Sequence, residues 1–313
     1  MKRWLELAAF AFAALVTQLV WLDFAPILVE IERRFSVDES TASWLILPFP
    51  LLYVLLSLPA GRAIDRRGVR VVVGLGAVVT AIGALVRLDS TSFAALIVGQ
   101  LIASTAQPFV VNGIAKLVAE RFSDDDAALA NGLGTVGMFL GMAAGLASTP
   151  PLFDAFDLRG AMLAHAVVAV LAAVVWFAVV RDPPNDTHAP IGSPIGSPIG
   201  SSIGSSTRST SWLGLLRNKK LALLITASFV GLGYFNGLTT WLEQLLAPRG
   251  VDANTAGVVG GALIGGGIVG AVVVPLVADK LRRRKLPFIA CVLDSTALDA
   301  ALAGSTWSSG VVP

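Results

Sequence analysis

The chain has 313 residues, of which 55% are apolar and only 14% charged, with a mean hydropathy of +0.76. A soluble domain carries about 25% charged residues, so this composition cannot cover an ordinary water-facing surface, and a net charge of +2 gives no electrostatic basis for a nucleic-acid partner. One cysteine, Cys291, excludes an internal disulfide framework or a thiolate zinc cluster, and two histidines without metal-ligand spacing give no reason to expect a metal, a cofactor or an enzyme.

The predicted elements are helices of membrane length, about 20 apolar residues each. They run over 5–29, 41–60, 69–88, 92–118, 126–149, 159–180, 221–247 and 256–278. "MKRW" followed by an apolar run could open a signal peptide, but the run continues to Val29 without a small-residue cleavage site, so it reads as a retained first span. Residues 183–212 hold the tract "PIGSPIGSPIGSSIGSS", which has no means of burying a core and reads as a flexible cytoplasmic linker. The expected organisation is a six-helix bundle over 1–182, the linker over 183–212, and an incomplete second bundle over 213–313. After "LPFIACVL" the sequence turns polar and carries Asp294 and Asp299, which suggests a gene whose reading is disrupted near residue 293. On that expectation, transport by this chain alone is impaired.

Placing the N-terminus inside puts 18 of the 23 lysines and arginines on the inner side. The positive-inside asymmetry therefore predicts a cytoplasmic N-terminus. Arg33, Arg34, Arg87, Arg159 and Arg249 fall in the outer segments. Residues 61–70, "GRAIDRRGVR", then form a cytoplasmic loop between spans two and three.

Span one carries Trp21 and the acid Asp23, which lies about 200° further round an ideal helix, so the two share a face only if Pro26 distorts it. An intramembrane acid is a candidate proton carrier or cation counter-ion. Gln100, Ser104 and Gln107 form one face of span four; Asn236, Thr240 and Glu243 form one on span seven. Both faces should line a central cavity, since glutamines in lipid need partners. The alternative is hydrogen bonding between helices. Tyr234 reaches a depth similar to that of Trp21, and Glu243 is a second coupling candidate near the outer end of its span. His165 in span six is either a proton relay or a packed side chain. Gly137, Gly141 and Gly145 make a small-residue ladder on span five, as do Gly257, Gly261, Gly265, Gly266 and Gly270 on span eight. Gly265, Gly267 and Gly270 also fit a dinucleotide-binding spacing, but inside a membrane-length helix rather than after a strand.

Six spans, a cytoplasmic linker and further spans resemble the layout of the major facilitator superfamily. The loop carries that family's signature at Gly61, Asp65, Arg66, Gly68 and Arg70, with Val71 where a further basic residue is usual. "ADKLRRRK" at 278–285 is a weaker echo after span eight. The resemblance implies an all-α polytopic membrane fold, alternating access around a midplane site, a conformational gate at the loop, and contact between spans five and eight. The phrases "VWLDFAPI", "ALVRL", "VGQLIASTAQPFVVNG" and "GLGYFNGLTTWLEQ" are similar to one branch, the feline leukaemia virus subgroup C receptor family. That branch is associated with choline, ethanolamine and haem transport, with an aromatic pair and glutamine support around a quaternary ammonium. The matching positions here are Trp21, Tyr234 and Gln107; Gln100 and Asn236 are further candidates for the same site. The implied protein is a monomeric, multi-pass plasma-membrane transporter of a small solute that uses no cofactor and has the bilayer as its other partner. A non-transporting membrane fragment, receptor or scaffold is the alternative.

Overall fold

The computed structural model describes residues 2–181, 219–240, 259–270 and 273. Secondary structure among the described residues is helical. Helix α1 (Lys2–Leu22) stops where Pro26 removes a backbone donor and disfavours helix in the residue before it. A single 3₁₀ turn, Ala25–Ile27, then leads into α2 (Leu28–Phe35), which ends at Ser36 in the left-handed conformation. The short α3 (Glu39–Ala42), a second 3₁₀ turn (Ser43–Leu45) and α4 (Pro48–Arg67) follow, bent by 44° between Leu45 and Pro48. Gly68, at φ 80°, separates α4 from α5 (Val69–Val86). Helix α6 (Phe93–Val111) is capped by the Ser92 hydroxyl, which accepts from the Ala95 amide, and is continued by α7 (Gly113–Arg121).

Helix α8 (Asp124–Val179) turns back on itself at Asp157, whose φ of 58° and ψ of 178° are not helical. Ser148 and His165, 17 residues apart on either side of the turn, come within 3.4 Å, so its two arms run antiparallel. The apolar part, Leu129–Val179, has 51 residues, about 77 Å if straight, or more than two hydrocarbon thicknesses. With the other apolar helices and the bent pair, residues 2–181 therefore supply the six crossings the sequence predicts. Helix α9 (Lys219–Thr240) and α10 (Val259–Gly270) follow. The chain divides into two compact units, Met1–Ile264 and Gly265–Pro313. The expected linker at 183–212, the basic loop at 278–285 and everything beyond residue 273 lie outside the described residues.

Packing within the first unit is led by small residues. A Cβ at Gly137 or Gly145 would fall 2.7 Å from the carbonyl oxygen of Ala11 or Leu19, and one at Gly141 would land on that of Leu15. Two ladders stepping by four residues thus mesh backbone to backbone between α8 and α1. This corrects the expected partner: the ladder of span five packs on span one. No described atom lies within 4 Å of a Cβ built at Gly261, and Gly257 lies outside the described residues. Gly83 and Gly99 bring α5 and α6 together in the same way, a Cβ on Gly83 falling 2.5 Å from the Gly99 oxygen. Large side chains such as Val54, Leu55, Leu163 and Val174 point outward, as helices solvated by lipid require.

Ion pairs close the two ends. At the loop end Arg3 meets Asp126 at 2.7 Å and Glu6 meets Arg121 at 2.8 Å; at the other end Arg34 meets Asp157 at 2.5 Å.

Candidate functional site

Chain geometry at the end of α1 brings four elements onto one carboxylate. Asp23 follows the last residue of α1, Arg87 caps α5, Gln100 sits on α6 and His165 on the second arm of α8. Arg87 Nη1 donates to both Asp23 oxygens, at 3.1 and 2.8 Å, and to Gln100 Oε1 at 3.0 Å. His165 Nδ1 lies 3.1 Å from Asp23 Oδ2, and its Nε2 lies 3.4 Å from Ser148 Oγ. Asp23 and Arg87 are both 0% exposed. The Phe24 ring, 5.4 Å from Arg87 Cζ, covers the guanidinium. Gly99 makes room for it, since a Cβ there would lie 2.5 Å from Arg87 Cγ.

Gln100 ties this charge cluster to the backbone. Its amide donates to the carbonyls of Val20 at 3.1 Å and Leu45 at 2.7 Å, the last turns before the breaks in spans one and two. Both of its amide hydrogens are therefore used locally. Two nitrogens of Arg87, Nε and Nη2, are buried without a partner among the described residues.

Trp21 faces elsewhere, as the 200° offset requires. It is 8% exposed and stacks on Phe49 of α4, with ring centroids 6.3 Å apart and planes 21° apart. Its indole Nε1 is buried without a partner among the described residues. Gln107 is buried on α6 and donates to Gln18, one turn before Trp21, at 3.3 Å. Gln107 thus meets α1 one turn before Trp21. Ser104 gives its hydroxyl to the Leu101 carbonyl of its own helix. Tyr234 is 48% exposed on α9, where its neighbour Phe235 meets Phe139 of α8 edge-on at 6.3 Å. The side chains of Asn236 and Thr240, and all of Glu243, lie outside the described residues.

The loop between α4 and α5 has the conformation its glycine predicts at Gly68. No described atom lies within 4 Å of a Cβ built at Gly61. Asp65 is exposed and faces Lys116 Nζ at 3.5 Å. Arg70 Nε donates to the Val180 carbonyl at 2.9 Å, and Trp176 Nε1 donates back to the Arg70 carbonyl at 2.8 Å, fastening the start of α5 to the end of α8.

A family comparison accounts for this helical order and loop together: the Major Facilitator Superfamily profile matches residues 8–311. The chain belongs to that superfamily. Among curated members, an uncharacterized MFS-type transporter of Caenorhabditis elegans is 28% identical over 94% of this chain and 52% of its own length. The choline/ethanolamine transporter flvcr2b of Danio rerio is 26% identical over 94% of this chain and 62% of its own length, and human choline/ethanolamine transporter FLVCR2 is 24% identical over 78% and 48%. The chain thus spans about half to three-fifths of the length of these superfamily relatives. Two solved structures share the fold. A bacterial homologue of the human lysosomal transporter Spinster, inward-facing and unoccupied, gives a TM-score of 0.65 at 17% identity, covering 90% of this chain and 64% of its own. The human organic anion transporter MFSD10 gives 0.65 at 19%, covering 86% and 71%. This superfamily member is therefore a multi-pass, all-helical membrane protein.

Sequence reasoning missed Arg87, which it counted among outer-loop charges; the structure corrects this, placing it fully buried. A signal was available. Spans one and three both run outward, and Asp23 and Arg87 sit at matching depth near their ends. An acid and a base buried at one depth are each other's natural partner.

Proposed function

We propose that this chain forms part of a secondary-active transporter that moves a small organic cation, such as choline, across the plasma membrane by alternating access. The observation that carries the reading is the buried Trp21–Phe49 stack beside the Gln18–Gln107 pair, at the end of a broken first span. The relatives named as choline/ethanolamine transporters support it.

The chemistry favours ring faces over a carboxylate. Arg87 already neutralises Asp23, so Asp23 is not free to act as counter-ion to a substrate. A quaternary ammonium cannot donate a hydrogen bond, and a ring face attracts it by about 0.5–2 kcal/mol, more when water is excluded. In this reading Trp21 and Tyr234 bracket the ammonium. Gln107 and Asn236 take the hydroxyl end, and Gln100 holds the wall of the site. Glu243 is a coupling candidate. The loop at Gly61, Asp65, Arg66, Gly68 and Arg70 acts as a cytoplasmic gate, with the N-terminus on the same side.

Uptake of labelled choline into proteoliposomes tests the reading. Saturable uptake by the chain is expected even at a reduced rate, with an apparent affinity weakened about 2- to 30-fold in Trp21→Ala, the range that 0.5–2 kcal/mol corresponds to. Uptake by the parent no faster than by protein-free vesicles overturns it and favours a membrane protein that does not transport.

A further inference from the structure

Asp23, Arg87 and His165 are the only ionisable side chains classed as fully buried among the described residues, and all three belong to one cluster. The first two compensate each other. His165 is the third, and an imidazole can take up or release a proton at its second ring nitrogen. A carboxylate accepts but does not donate, so Nδ1 carries the hydrogen that faces Asp23, and Nε2 is the atom left to gain or lose a proton. Ser148 Oγ stands beside Nε2 and suits either state: its hydroxyl donates to a bare Nε2 and its lone pairs accept from a protonated one.

We propose that His165 and Asp23 form a proton-binding site inside the helical bundle. Its occupancy sets how Asp23 divides its carboxylate between His165 and Arg87. An incoming proton lands on Nε2, the imidazolium keeps its Nδ1 hydrogen on Asp23, and the cluster passes from neutral to one net positive charge. Arg87 can accommodate the change because Nε and Nη2 have no partner among the described residues, so the carboxylate has a second edge of the guanidinium to turn to. The groups facing the imidazole are Asp23 at the end of α1 and Ser148 on the first arm of α8, with Arg87 of α5 and Gln100 of α6 behind Asp23. Charges elsewhere at this end are at the surface: Arg34 pairs with Asp157, while Asp89, Asp154 and Arg159 are exposed. Because Gln100 bonds both Arg87 and the Val20 carbonyl, a shift in the cluster reaches the residue next to Trp21. The link to transport rests on the reading above, whereas proton binding does not.

His188 is the only other histidine in the chain, so His188→Gln leaves one imidazole to observe. Nuclear magnetic resonance of ¹⁵N-histidine in that variant, held in lipid nanodiscs, reads its protonation directly between pH 5 and 8.5. The expected result is the Nδ1–H tautomer at high pH and a single-step protonation of Nε2 on acidification. The midpoint should move in Asp23→Asn. Where Asp23→Asn does not fold, Asp23→Glu keeps the charge but displaces it, and its midpoint moves as well. A signal unchanged across the range, or a midpoint indifferent to residue 23, overturns the proposal. Uptake is a separate arm. Acidification should alter choline uptake by the parent and leave His165→Gln unaffected. A titrating His165 without choline uptake at any pH overturns the substrate reading and leaves the proton site standing.

Discussion

Arg87 shows how one side chain can be tied into a membrane bundle at several points. Its guanidinium rests on Phe24, passes Gly99 and holds Asp23 and Gln100 through one nitrogen. Removing one partner of a buried pair leaves an uncompensated charge and costs roughly 3–5 kcal/mol. Arg87→Met should therefore unfold well below the parent in detergent melting, whereas Asp23→Asn combined with Arg87→Met should recover much of the loss. An Arg87→Met variant as stable as the parent would contradict the pairing. Asp23 was legible as a site because an acid inside an apolar run stands out. Arg87 was not, because it sits at the outer end of the predicted span 69–88, where it reads as a loop charge, and its partner is 64 positions away. A larger separation in sequence, 142 positions, hid the contact of His165 with Asp23.

Among the helices, the glycine ladders separate what a pattern says from what it leaves open. Gly137, Gly141 and Gly145 announce a close approach, and one exists, but small residues carry no label for the partner, and α1 rather than span eight takes the place. Two substitutions on the same arm of α8 should move in opposite directions. Gly141→Ala drives a methyl into the Leu15 carbonyl and should cost about 1–3 kcal/mol by overpacking. Gly132→Ala meets no described atom within 4 Å and should gain up to about 1 kcal/mol from helix propensity. At the loop, Gly68→Ala forces a side chain onto φ 80° and should cost about 1–2 kcal/mol. Thermal unfolding of the three variants in one detergent checks all of these. A neutral Gly141→Ala would mean that α1 and α8 do not mesh as described. The breaks at Asp23 and Asp157 differ in how readable they were. Pro26 marks the first, and the second falls in the short polar stretch between predicted spans five and six, where an aspartate takes the positive φ.

For the whole molecule, the six crossings of residues 2–181 follow from segment length and hydropathy alone, and the superfamily match agrees with them. On the orientation expected from the sequence, burying Arg87 takes one charge from the loops of the side poorer in lysine and arginine. In a Cys291→Ser background, Asp65→Cys should react with an impermeant thiol reagent only from the cytoplasmic side, and Asp89→Cys only from the opposite side. Labelling of both from one side would overturn the topology. Of the candidate positions, Gln107 bonds Gln18, one turn before Trp21 on α1, while Gln100 spends its amide on the charge cluster and on two helix ends. Which ring face a cation would use depends on Phe49, 28 residues from Trp21 and brought to it by the bend in span two.

Calorimetric binding of choline, set against its uncharged carbon isostere 3,3-dimethyl-1-butanol, separates attraction to ring faces from simple apolar fit. The account predicts that choline binds at least tenfold more tightly than the isostere, and that Trp21→Ala erases most of the difference. Equal affinity for the two ligands in the parent, or no binding of choline at all, would contradict it.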